Sequence, residues 1–238
     1  MRDNQSEFEL TILMPCLNEE ATVGKCIDRA RKYLSENNLN GEILVADNGS
    51  TDQSVSVARK HGARVIHVKK RGYGRTLRAG LRAAGGTVII MADCDTTYDF
   101  GESGKLFKPL ADGKCDMMIG DRFRGGIEKG AMPLSHIIGV RFLSLIGRMR
   151  YRTDVRDFHC GFRGITGEAL SNLRFHTTGM EFATEMIAEA VRKGLIIGQI
   201  PVSLKKCRDS RQSKLRTVRD GIRHLIYIIR GGKYESEN

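Results

Sequence analysis

Four short apolar runs, at 10–14, 42–46, 64–68 and 87–91, alternate with stretches of helical periodicity through the first hundred residues, and this alternation limits the fold more than any other feature. The helical stretches are 21–36, with Val23, Ile27, Ala30 and Leu34 recurring on one face, then 53–61 and 75–84. Strand and helix alternating at this pitch predict right-handed βαβ units, an α/β fold and a mostly parallel central sheet flanked by helices. Ligands of such sheets lie beyond the carboxyl ends of the strands. Three acidic loops fall at such ends. Pro15, which is expected to stop the first strand, opens Pro15-Cys16-Leu17-Asn18-Glu19-Glu20; the second loop is Asp47-Asn48-Gly49-Ser50-Thr51-Asp52; the third is Asp93-Cys94-Asp95. One acidic turn is commonplace, but three on one sheet edge predict a site.

The third loop carries the sharpest chemistry. Val88-Ile89-Ile90-Met91 suits a buried strand, and it opens into two carboxylates one residue apart. Such a pair offers oxygen ligands to one hard cation, Mg2+ or Mn2+, whose shell is completed by water and substrate phosphates. The same D-x-D also caps ordinary turns. Gly72-Tyr73-Gly74 precedes a helix on which Arg75, Arg78 and Arg82 share a face. Glycines there let backbone N–H groups approach a phosphate, or they simply start a helix with a solvated basic face. Neither a dinucleotide fingerprint nor a P-loop is present.

In the second half, 117–120 reads as a strand leading into Asp121-Arg122-Phe123-Arg124 and a glycine-rich loop. The stretch 133–152 is an amphipathic helix with Ile137, Ile138, Phe142, Leu145, Ile146 and Met149 among Arg141, Arg148, Arg150 and Arg152. It suits a membrane interface with anionic headgroups, or a core-facing helix with snorkelling arginines. Residues 157–163 form a polar-aromatic loop in which His159 reads as a structural hydrogen-bonder. A helix over 181–192 repeats Glu181, Glu185 and Glu189 every four residues, as solvated faces do; Glu181, at the helix start, can face a cleft. A late strand at 196–204, a basic loop at 208–219 and a short apolar helix at 224–229 complete the chain.

Net charge is +11, crowded at 69–82, 141–156 and 205–223. A basic surface favours polyanions: phosphorylated substrates, anionic membrane or nucleic acid. The six cysteines have no C-x-x-C pair, no signal peptide precedes the first strand, and no apolar run approaches the ~20 residues of a spanning helix. These features predict free thiols in a reducing, cytoplasmic setting.

Taken together, Pro15-x-x-Asn18-Glu19, Asp47-Asn48-Gly49-Ser50-x-Asp52, Arg71-Gly72-Tyr73-Gly74, the D-x-D, Gly120-x-Arg122-Phe123, Asp157-x-x-x-Gly161-Phe162-Arg163, Gly179-Met180-Glu181-Phe182 and Ser213-Lys214 resemble family 2 glycosyltransferases of the GT-A fold. Within that family they resemble the dolichyl- and polyprenyl-phosphate sugar synthases. The resemblance implies one catalytic domain over 1–230, with a nucleotide-binding half (1–100) and an acceptor-binding half (101–230), then a tail at 231–238. It also implies that Pro15, Asn18, Glu19, Asp47, Asn48, Gly74, Asp93 and Cys94 line the nucleotide-sugar pocket, and that Asp93 and Asp95 hold Mg2+ or Mn2+. Arg122, Arg163, Ser213 and Lys214 would bind the acceptor or phosphates, and Asp157, Glu181 and Arg122 are the catalytic candidates. Asp121 stands where a small hydroxyl residue is more usual, and the chain stops at Asn238 where family members commonly continue into transmembrane helices.

The expected chemistry is inverting sugar transfer from a nucleotide diphosphate sugar, with UDP favoured and GDP-mannose compatible. The first acceptor expected is a polyprenyl or dolichyl phosphate at the cytoplasmic membrane face. A soluble acceptor, such as a protein, a metabolite or modified nucleic acid, is the alternative. A basic nucleic-acid-binding protein is the non-enzymatic one, although few aromatic side chains are available for stacking.

Overall fold

The computed structural model describes residues 7–207 and 217–231. The strands are β1 (Phe8–Cys16), β2 (Gly41–Asp47), β3 (Arg64–His67), β4 (Gly86–Met91), β5 (Met117–Asp121), β6 (Arg163–Thr166) and β7 (Ile197–Pro201). The helices are α1 (Val23–Glu36), α2 (Ser54–Lys60), α3 (Tyr73–Ala83), α4 (Gly104–Ala111), α5 (Arg122–Gly125), α6 (Leu134–Tyr151), α7 (Gly167–Ser171), α8 (Phe182–Arg192) and α9 (Thr217–Ile229). All seven strands form one sheet, ordered β3-β2-β1-β4-β6-β5-β7, in which β6 alone runs antiparallel to its neighbours. The sheet runs unbroken from the first half of the chain into the second. It is buried against helices through Leu10, Ile12, Leu44, Ile89, Ile90 and Ile119 among others.

The first strand does not stop at Pro15. Its pairing with β4 ends at Leu13↔Met91, while its pairing with β2 continues to Cys16↔Asp47. Pro15 therefore sits where only one neighbour remains, and a residue without an N–H is tolerated at such an edge. Residues 163–166 are a strand rather than part of the preceding loop. The segment is only four residues, Arg-Gly-Ile-Thr, with no alternation to read. Gly164 is small because a Cβ there would lie 2.6 Å from the Leu110 side chain on α4. α4 carries Pro109 and was not announced by periodicity, and α9 begins at Thr217, seven residues earlier than expected.

The register places the chemistry. Asp47 ends β2, Asp93 lies two residues past the end of β4, and Asp121 ends β5. Arg163 pairs with Met91 at the same end, because β6 enters the sheet from the opposite direction. One edge of the sheet therefore collects residues from both halves of the chain.

Candidate functional site

Two of the three acidic loops are stitched together. The Asn18 N–H donates to Ser50 Oγ (2.9 Å), the Glu19 N–H to Ser54 Oγ (2.7 Å) and the Glu20 N–H to Asp52 (3.1 Å). In return Asn18 Oδ1 accepts from the Thr51 N–H at 2.7 Å, and Glu20 accepts from Gln53. Asn18 has a positive φ of 51°, a conformation in which asparagine is enriched. These bonds hold Pro15, Asn18 and Glu19 against Asp47 and Asn48 without any bound ligand.

Asp47 accepts from the Gly49 and Ser50 N–H groups and sits 3.2 Å from His67 Nδ1. Burial pushes its carboxyl up, but the hydrogen bonds from Ser50, His67 and Gly49 outweigh that and leave it below the ordinary value. Asn48 ties the next loop to the edge, donating to the Val68 and Lys70 carbonyls and accepting from the Gly72 N–H at 2.8 Å.

The glycines at 72 and 74 serve a different purpose from a phosphate cradle. The Gly74 and Arg75 N–H groups both donate to the Thr178 carbonyl, so the start of α3 is already partnered. A Cβ on Gly74 would lie 2.8 Å from the Thr177 oxygen and 2.9 Å from that of Gly179. The motif lets α3 pack directly on the 177–179 backbone. Arg78, on the supposedly solvated basic face, donates to the His176 carbonyl there.

At the end of β4, Asp95 is buried, and its Oδ1 accepts from Thr97 twice, through the backbone N–H (3.1 Å) and the hydroxyl (2.5 Å). Thr96 between them has φ 65°, which is strained for a β-branched residue. Asp93 is half-buried and hydrogen-bonded by Tyr73. Burial first, and then the Asp93 charge, push the Tyr73 phenol well up, so it stays a proton donor to that carboxylate. Gly161 supplies the opposing wall: a Cβ there would lie 3.4 Å from Asp93 Oδ2. Cys94 points inward, its thiol donating to the Pro15 carbonyl at 3.3 Å; it fixes the loop and presents no side chain to a ligand.

Among the described residues no group of three or more His, Cys, Asp or Glu side chains could hold a metal. Two hard carboxylates beside a glycine wall do not make a self-sufficient metal centre. They do fit a cation shared with a diphosphate, the usual arrangement for Mg2+.

The residues expected at the acceptor are arranged differently. Arg122 and Asp157 are both buried and grip one another, Nε to Oδ2 at 2.6 Å and Nη2 to Oδ1 at 2.7 Å. Asp157 also accepts from the His159 N–H. The sequence placed Asp157 as a base near the acceptor; the fold instead occupies both its oxygens. Arg163 is likewise corrected from a phosphate ligand to a strut, since its guanidinium donates to the carbonyls of Cys160, Ala183 and Phe158. Asp121 caps α5 through Oδ1, which accepts from the Phe123 and Arg124 N–H groups, while its buried Oδ2 has no hydrogen-bond partner.

Glu181 is fully buried, with Oε1 held by Arg223 of α9 at 2.6 Å and by the Gly179 N–H, and Oε2 buried without a hydrogen-bond partner. Glu185 departs from the solvated-stripe expectation: it is buried and accepts from His176 and Thr177. His159 meets His224 of α9, Nε2 to Nδ1 at 3.2 Å, and His224 contacts Thr184 Oγ1 at 2.8 Å. Burial drives both imidazoles down, that of His224 to about 4. Ser213 and Lys214 lie outside the described residues.

Sequence reasoning missed Tyr73, Thr97 and the α9 pair Arg223 and His224. Tyr73 stood between two glycines, and the α9 pair meets Thr184 and Glu181 across forty and forty-two residues of chain.

Proteins named as sugar transferases are similar to this chain. A low-salt glycan biosynthesis hexosyltransferase, Agl6, of Haloferax volcanii is 36% identical over 92% of this chain, which spans 53% of the length of that relative. A dolichyl-phosphate hexose transferase of the same organism is 28% identical over 83% of each chain. The crystal structure of glucosyl-3-phosphoglycerate synthase from Mycobacterium tuberculosis, with Mn2+, UDP and glucosyl-3-phosphoglycerate, superposes with a TM-score of 0.76 at 22% identity. It covers 96% of this chain and 82% of its own, and shows the same GT-A fold. The glycosyl transferase family 2 pattern matches residues 11–174, and the chain belongs to that family.

Proposed function

We propose that the protein transfers a hexose from a nucleotide diphosphate sugar, UDP-linked in preference to GDP-linked, to a polyprenyl or dolichyl phosphate, with inversion at the anomeric carbon. The single observation carrying this reading is the placement of Asp93 and Asp95 beside the stitched Asn18–Glu19 and Asp47–Asn48 loops at one sheet edge. Asp47 and Asn48 face the base and ribose, and Asn18 and Glu19 close the same pocket. Asp93 and Asp95 hold Mg2+ or Mn2+ together with the diphosphate. Bound there, the cation neutralises charge on the leaving group.

Tyr73 and Thr97 hydrogen-bond to the two carboxylates and orient them, the support that metal-ligating carboxylates need. A phosphate monoester acceptor is already anionic and needs no strong base. A hydroxyl acceptor would place that duty on Glu181, whose Oε2 has no hydrogen-bond partner among the described residues. The two relatives named for hexose transfer, one of them to dolichyl phosphate, favour the lipid acceptor.

One observation favours the second reading, a soluble acceptor. The Arg163 fork and two nitrogens of Arg122 are already committed to the protein, and the Asp121 carboxylate lies beside them. A thermal-shift screen of UDP-glucose, UDP-N-acetylglucosamine and GDP-mannose, each with Mn2+ and with chelator, tests the donor site. A rise in melting temperature that needs the metal is expected; an equal rise in chelator would sink the assignment. Competition between dolichyl phosphate and phosphorylated metabolites in a transfer assay then separates the two acceptors.

A further inference from the structure

Among the described residues nine large apolar side chains are exposed, and eight of them lie on α6 and α9. On α6 they are Leu134, Ile138, Phe142, Leu145 and Met149, spaced i, i+4, i+8, i+11 and i+15, which is one stripe along a helix. On α9, Ile222 and the isoleucines four and seven residues on repeat the pattern. The two helices pack against each other. Phe142 is 57% and Met149 73% exposed, far more than core positions allow.

The opposite faces of the same helices look inward. Ser144 accepts from the Phe158 N–H, the Phe158 ring packs on Gly147, Arg223 holds Glu181, and His224 meets His159. The pair is a plate, with the acceptor-side residues under it and an apolar surface above. Beside the stripe opens a cleft of about 310 Å3 lined by Phe123, Arg141, Ser144, Leu145, Arg148 and Arg156. Arg141 lies over the Phe123 ring at 4.7 Å, and Arg148 Nε is buried with no hydrogen-bond partner. Three guanidinium groups beside apolar walls suit a phosphate carried on an apolar tail.

We propose that the joint outer face of α6 and α9 docks on an anionic bilayer, with Arg141, Arg148 and Arg156 receiving a lipid headgroup phosphate in the adjoining cleft. The charge distribution selects this occupant. A second copy of a chain with net charge +11 would bring like charge against these arginines, whereas an anionic membrane complements both the apolar stripe and the basic cleft. The inference deepens the lipid-acceptor reading and rests on it, since the acceptor of that reading carries its phosphate at the bilayer surface.

The test is co-sedimentation of the full chain with vesicles of phosphatidylcholine alone and of phosphatidylcholine mixed with phosphatidylglycerol. Solution mass by light scattering and the UDP-sugar thermal shift are followed in parallel. Binding to the anionic vesicles only is expected, lost in Phe142→Asp and in Met149→Asp, and weakened about fivefold in Arg141→Ala. All three variants should keep the wild-type thermal shift. Equal binding to both vesicle types, binding indifferent to the two aspartate variants, or a dimer that Phe142→Asp dissociates would overturn the docking proposal. Wild-type protein that binds anionic vesicles but shows no UDP-sugar shift would overturn the donor reading instead, so the two failures are separable.

Discussion

The two halves of the sheet edge solve the problem of placing charge in different ways. Around β1, β2 and β4, the carboxylates of Asp47 and Asp95 accept from N–H and hydroxyl donors of their own loops. Around β5, β6 and α8, the ionised groups neutralise one another: Arg122 with Asp157, and Arg223 with Glu181. The first arrangement orients each carboxylate through neighbouring N–H and hydroxyl groups. The second stabilises the fold against unpaired buried charge; among the described residues it leaves Glu181 Oε2 of one pair, and Asp121 Oδ2 next to the other, buried without a hydrogen-bond partner. A donor-side carboxylate should therefore act mainly on ligand binding, and an acceptor-side one mainly on stability.

The largest effect is expected for Asp95→Ala, with transfer falling about a thousandfold or more and the metal-dependent thermal shift disappearing, while the melting temperature without ligand stays near wild type. Initial-rate and thermal-shift measurements check both parts. Asp157→Asn should do the reverse. It leaves the buried Arg122 charge without its partner and should cost about 3–5 kcal/mol in urea unfolding, with donor binding retained by the protein that remains folded. An Asp157→Asn protein that loses donor affinity without losing stability would erase the contrast.

Acid should strike the acceptor side as well. His224 is held neutral, its value lowered from 6.5 to about 4 by burial, so the unfolded chain binds a proton there before the folded one does. Stability from this group is complete above pH 6.5 and is lost as pH falls toward 4, about 3 kcal/mol in all. Melting temperature against pH should show this limb, and His224→Gln should flatten it. The smallest effect is expected where the halves touch: Gly74→Ala forces a methyl against the Thr177 and Gly179 carbonyls and should cost about 2 kcal/mol by urea unfolding. No loss there would mean that α3 and the 177–179 segment are not closely packed.

Much of the first half of the fold was readable in advance, and the reason is local. Each acidic loop follows its own apolar strand within a few residues, so the βαβ pattern alone brought Glu19, Asp47 and Asp93 to one edge. The reading failed where a short segment has no period, as at Arg163–Thr166, or where a residue plays two parts. Gly72 and Gly74 resembled a phosphate cradle because a close backbone approach requires glycine whether the neighbour is a phosphate or the Thr178 carbonyl. Arg163 looked like a phosphate ligand for a similar reason: a guanidinium fork serves three carbonyls as readily as an anion.

Apolar periodicity and the spacing of strand-end carboxylates were enough to set the fold class and the edge where the acidic loops gather, because neighbours in the chain generate them; the family came from the resemblance of the motifs. The partner of each buried charge was not legible, because Arg122 meets Asp157 and Glu181 meets Arg223 only after long loops have closed. Whether the stripe on α6 faced the core or solvent was equally open in one dimension. The packing of α9 beside α6 answered it by burying one side of each helix and leaving the other exposed.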